Sequence, residues 1–247
     1  PYFSLGASAG TRNLRLLGFH DQAAAASGAP EDSANRASES AEEPGTGVIF
    51  AAFALSGFSA MVYEVAWTRS LSLVLGSSIY AFCIMLATFL GGIALGSGLA
   101  RWSLARRGAR MEQLIVLEAG LAAYGLFSIS LFPQLPEWLV RLWPLLSRSF
   151  AGLSWLQAVL CTAVMALPTL AMGVSFPLFT ALLTERFSQL GRRLGSAYAV
   201  NTVGGIVGSA LSGFWLIPRI GIAWTLVVAA MGNLLAGLGL YARFSGG

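Results

Sequence analysis

From Val48 to Tyr241 the chain is a succession of apolar runs, each long enough to cross about 30 Å of hydrocarbon as a helix rising about 1.5 Å per residue. Six such runs are readable: Val48–Thr68, Ile79–Ala100, Leu114–Phe132, Trp155–Leu183, Ser196–Pro218 and Ile220–Tyr241. Only Pro218 and Arg219 mark the border of the last pair, so a tight hairpin is predicted there. With 56% hydrophobic and 11% charged residues and a mean hydropathy of +0.71, the chain lies outside the balance of a soluble domain. The fold class expected is an all-α integral membrane protein of six transmembrane helices, occupying residues 48–247.

Residues 1–47 have a different chemistry. The stretch DQAAAASGAPEDSANRASESAEEPGTG offers almost nothing to bury and reads as a largely disordered tail. The first nineteen residues contain no apolar run of signal-peptide length, so they are read as a docking segment, not an export signal.

All fifteen basic residues are arginine, and they set the expected orientation. Arg101, Arg106, Arg107 and Arg110 follow the second run, and Arg186, Arg192 and Arg193 follow the fourth. The opposite connections carry Arg69, Arg141, Arg148 and Arg219. Seven against four places both termini in the cytoplasm of a bacterial inner membrane. The net charge of +4 is accounted for by these run ends, so no nucleic-acid partner is expected. In PQLPEWLVRLWPLLSRSF, residues 133–150, tryptophans alternate with leucines and arginines, as in a segment lying in the headgroup layer.

The same inventory excludes several chemistries. Without lysine there is no Schiff base, and the single histidine, His20, lies outside the apolar runs, so neither a metal site nor a haem or other cofactor is expected. Cys83 and Cys161 stand alone in separate runs and read as small buried residues.

Against this background the acid in SGFSAMVYEVAWTRSL stands out. Glu64 lies roughly 24 Å along the first helix, with Gly57, Ala60 and Thr68 on its face. A charge facing lipid would cost several kcal/mol, so the carboxylate must be paired, neutralised or wetted by a cavity. Arg69 is the nearest partner, with Trp67 as an interfacial belt residue in the structural reading; the functional reading is a cation or proton site. Glu118 is the other candidate intramembrane acid.

Glycines carry the packing signals. Gly92 and Gly96 in the second run, and Gly204, Gly208 and Gly213 in the fifth, follow small-xxx-small spacings. Tyr198, Asn201, Thr202, Gly205, Ser209 and Ser212 recur at helical intervals, giving the fifth helix a polar, small face toward a cavity or a tight contact. In the fourth run Pro168 and Pro177 bracket Gly173, which predicts a kink or local unwinding. FLGGIALGSGLARW and TVGGIVGSALSGFW echo one another at a spacing of 113 residues, the pattern of an inverted repeat of three helices.

At these residues the chain resembles the membrane part of bacterial fused transporter-like and spermidine synthase-like proteins. The segments that carry the resemblance are SGFSAMVYEVAWTRSLSLVLGSSIYAF, FLGGIALGS, LPTLAMGVSFPL and GSAYAVNTVGGIVGSALSGFWLIPRIG, covering most of residues 52–240. A weaker similarity, through GLARWSLARRGAR and GRRLGSAYAVNTVGGIVG, extends to the major facilitator superfamily, and implies the architecture of one six-helix half. The antiporter motif of that superfamily would place proline where Ser209 stands. Relatives of the first kind often continue into a soluble aminopropyltransferase-like domain; no glycine-rich strand-end loop of that domain is present, so enzymatic activity is not expected. Two functions follow as expectations. One is a noncatalytic accessory subunit packed among lipids and other membrane subunits, or as a homodimer. The other is a polyamine or small-cation transport module, a half-transporter acting as a dimer.

Overall fold

The computed structural model describes residues 46–146, 149–186 and 190–244. Residues 1–45 of the expected tail, 1–47, and His20 among them lie outside the described residues, while Thr46 and Gly47 begin the first helix and are not part of a tail. Every regular element is helical, with no strand among the described residues. In chain order these are α1 (Thr46–Leu75), α2 (Ile79–Arg107), α3 (Met111–Leu131), a 3₁₀ turn (Phe132–Gln134), α4 (Leu135–Leu146), α5 (Phe150–Arg186), α6 (Leu190–Leu211), a π turn (Ser212–Leu216) and α7 (Ile217–Phe244).

Five helices, not six, are long and apolar enough to cross a membrane: Gly47–Leu75, Ile79–Arg107, Met111–Pro144, Ala151–Leu183 and Leu194–Phe244. The expected count fails at the last pair. No loop forms at Pro218–Arg219; α6 passes through the π turn directly into α7, and the backbone leaves helical space only at Gly221, with φ 77° and ψ 173°. A glycine tolerates that positive φ because it has no Cβ.

Contacts fix the directions of the helices. A Cβ added at Gly204 or Gly208 would meet the backbone of Ala54 or Phe58, so α6 runs parallel to α1. Gly232 abuts Ser59 and Gly239 abuts Val48, so α7 runs antiparallel to α1 and the segment doubles back near Gly221. Gly92 abuts Thr169, and Gly96 abuts Leu170 and Gly173, making α2 and α5 parallel. Small residues at each crossing let the backbones approach closely, the usual solution where lipid supplies no hydrophobic drive between helices.

Aromatic side chains fill the α1–α3 seam. Tyr63 and Trp67 are fully buried and stacked, with ring centroids 4.9 Å apart. Trp67 Nε1 donates to Ser128 Oγ at 3.2 Å, and Tyr63 donates to the Leu121 carbonyl at 3.3 Å. Trp67 is therefore a core residue with a satisfied N–H and not an interfacial belt residue. Helix α5 stays continuous through Pro168 and Pro177, so of the predicted kink or local unwinding the unwinding does not occur. Pro168 has no N–H for the carbonyl of Val164, and the Tyr124 hydroxyl occupies that acceptor at 2.5 Å.

The segment after α3 is helical as well. Leu135 packs into the core while Glu137, Val140, Arg141 and Trp143 stay exposed, and Glu137 pairs with Arg141 one turn on. Cys161 is buried, but Cys83 is exposed on α2, contrary to its expected burial.

Candidate functional site

Glu64 lies on α1 where the helix passes beside the α1–α2 connection and the π turn, and these three pieces enclose a cavity of about 1020 Å³. Glu64, Thr68, Arg69 and Ser72 line it from α1, Ser77 and Ser78 from the connection, and Gly213, Ile217 and Pro218 from the far side. Ser78 caps α2 by accepting from the Ala81 N–H at 3.1 Å, which holds the connection in place. Glu64 is half-buried and Arg69 exposed, and no ion pair joins them. The expected Glu64–Arg69 pairing is thus absent among the described residues. Their helical separation explains it: five residues turn the two side chains roughly 140° apart around α1.

The π turn decides what Gly213 does. Expected as a packing residue, it meets only Val65 Cγ1 at 4.0 Å and lines this cavity instead. Gly92, Gly96, Gly204 and Gly208 all sit at close helix crossings, and Gly173 abuts Ile93 of α2.

A second cavity of about 430 Å³ lies among α1, α5, α6 and α7, with Phe89 and Ile93 of α2 and Leu121 of α3 also on its wall. Ser56, Gly57, Ser175, Asn201, Thr202 and Asn233 give its wall a polar stripe, and Met61 lines both cavities. Gly57 leaves room for Asn201, whose side chain and carbonyl a Cβ there would strike. The polar face of α6 thus splits: Asn201, Thr202, Gly205 and Ser209 face the cavity, while Tyr198 is exposed with its ring edge against Phe176 at 5.9 Å.

Glu118 lies behind this wall, fully buried. Ser56 Oγ donates to its Oε1 at 2.8 Å, whereas Oε2 has no partner among the described residues. Sequence reasoning singled out Glu118 but passed over Ser56, Ser59 and Asn233, which lie around it in the structure. The available signal was their spacing: Ser56, Ser59 and Tyr63 follow one face of α1, and Asn233 stands in the small-residue stripe of α7 with Ala229, Gly232, Ala236 and Gly237.

Comparison of the chain with protein-family models, with curated proteins and with solved structures finds no match.

Proposed function

We propose that this chain is a small-cation binding and transport module of a bacterial inner membrane, built like one half of a major-facilitator-type carrier and working as a dimer or beside a second membrane unit. The observation that carries the reading is Glu64: an acid without an ion-pair partner among the described residues, on the wall of a large cavity and close to a second cavity with a polar stripe. An intramembrane carboxylate that is not spent on a structural pair is available to a cationic ligand. The volume suits a small organic molecule; Arg69 is on the same wall, but its side chain is turned away from Glu64 around α1, and Glu64 beside apolar Val65, Phe82 and Ile217 suits an alkyl amine. Polyamines are the class implied by the sequence resemblance, which makes spermidine the first probe. The chain doubles back near Gly221, which brings the end of α7 to the same end of the bundle as the arginine-rich end of α2, the side that would face the cytoplasm.

The accessory-subunit reading draws on a different observation. Val203, Ile206, Val207 and Phe214 are exposed along one side of α6 and its π turn, a face that lipid or another subunit would cover. Native purification in mild detergent separates the two. A transport module is expected as a homodimer, and an accessory protein with stoichiometric foreign subunits.

Glu64→Gln tests the site. The variant keeps shape and hydrogen-bonding capacity, so its melting temperature should stay near that of the wild type while stabilisation by spermidine disappears. A fall of several kcal/mol in the absence of ligand would mean that Glu64 compensates a buried charge, and the transport reading would lose its support.

A further inference from the structure

Three buried oxygens lie without a hydrogen-bond partner among the described residues: Ser59 Oγ, Glu118 Oε2 and Asn233 Oδ1. They belong to one neighbourhood. Ser59 abuts Gly232, the residue before Asn233, and Gly237, one turn after Asn233, has Glu118 Cβ 3.5 Å from where its own Cβ would stand. Ser56, one turn before Ser59, already donates its hydroxyl to the other oxygen of Glu118. The cluster thus joins α1, α3 and α7, and its members are between 0 and 7% exposed.

All the unused atoms are oxygens, and one belongs to a carboxyl group. Leaving such groups unmatched in a low-dielectric interior is costly. None of the three reaches another in hydrogen-bonding geometry. Oxygens gathered around a hard cation at about 2.3–2.6 Å also stand apart from one another, because each points at the ion and not at its neighbour. From these observations we propose that Ser56, Ser59, Glu118 and Asn233 form a binding site for a monovalent alkali cation, sodium, between α1, α3 and α7.

Charge selects the valence. Glu118 brings one carboxylate, and no group of three or more acidic, histidine or cysteine side chains forms among the described residues, so a divalent ion would remain undercompensated. Access is also provided, because Ser56 and Asn233 line the 430 Å³ cavity as well as the cluster. An ion arriving through that cavity would reach Ser56 and Asn233 before Glu118, which does not line it. Once bound it would tie three helices that otherwise meet across unmatched polar atoms. The site is separate from Glu64, which lines the outer cavity.

The test is thermal unfolding of the full chain in detergent, with NaCl exchanged stepwise for choline chloride at constant ionic strength and no polyamine present. The melting temperature of the wild type should rise with sodium and saturate. Glu118→Gln should abolish the rise, and Ser59→Ala should move its midpoint to at least about tenfold higher sodium, which corresponds to 1.4 kcal/mol of binding free energy. If Glu118→Gln does not fold, Ser59→Ala together with Asn233→Ala decides the matter by the same displacement. Identical wild-type melting in sodium and choline would overturn the site, as would an undiminished sodium response in the cluster variants.

Discussion

At the level of single residues, tertiary packing can supply a donor for an acceptor that the backbone cannot satisfy. Val164 is the clearest case, since its carbonyl would be orphaned by Pro168 and instead takes the Tyr124 hydroxyl. Tyr124→Phe should therefore destabilise the protein by about 1–3 kcal/mol, the usual cost of stranding a buried acceptor. In a Pro168→Ala background the backbone N–H returns, and the same Tyr124→Phe change should cost markedly less. Chemical unfolding of the four proteins in one detergent yields the coupling energy; equal costs in both backgrounds would show that Tyr124 acts only by packing. Proline positions were legible in the sequence, but this rescue was not, because Tyr124 is remote in the chain and only tertiary packing delivers its hydroxyl. Glu64 was half-legible in the same sense. Its isolation inside an apolar run announced an exceptional residue, while the absence of an Arg69 pair depends on how α1 turns beside its neighbours.

Between elements, the small-residue spacings located the crossings wherever the helix stayed regular. Gly92, Gly96, Gly204 and Gly208 recur every four residues on regular α-helix, and each meets a neighbouring helix. Gly213 has the same spacing from Ser209 but lies inside the π turn Ser212–Leu216, whose i→i+5 hydrogen bonds widen the turn and rotate later residues off the stripe. A period count assumes one helix geometry throughout, which is why it misplaced this glycine and also separated two runs that the chain joins. Gly208→Ala and Gly213→Ala make the distinction measurable. A methyl at 208 would press on the Phe58 backbone carbonyl and should cost about 1–3 kcal/mol, whereas at 213 it meets only Val65 Cγ1 at 4.0 Å and should be nearly neutral. Comparable melting temperatures for the two variants would contradict the assignment of α6 as the α1-facing helix.

Across the whole molecule, the pairings α2 with α5 and α1 with α6 are related by the internal echo seen in the sequence. Shifting Gly96 forward and Leu170 back by 113 residues reaches Ser209 and Gly57, one residue from the observed neighbours Gly208 and Phe58. The glycines of the echo were readable because close approach demands them; the pairing of α3 with α7 was not, since Gly237 and the acid it meets, Glu118, have no counterpart in the echo. The directions of the helices then make orientation a single question for the entire bundle. Because α1, α3 and α6 run one way and α2, α5 and α7 the other, Arg101, Arg106, Arg107 and Arg110 share one end with Arg243, while Ser77 and the cavity beside Glu64 belong to the opposite end. Arginine-rich ends remain on the cytoplasmic face during insertion. In a background lacking Cys83 and Cys161, Ser103→Cys should thus react with an impermeant thiol reagent only in inside-out vesicles, and Ser77→Cys only in right-side-out cells. Spermidine added outside should slow the labelling of Ser77→Cys, which lines the outer cavity, but not after Glu64→Gln. Labelling of Ser77→Cys from the cytoplasmic side alone would invert the bundle and would present Glu64 to a ligand inside the cell.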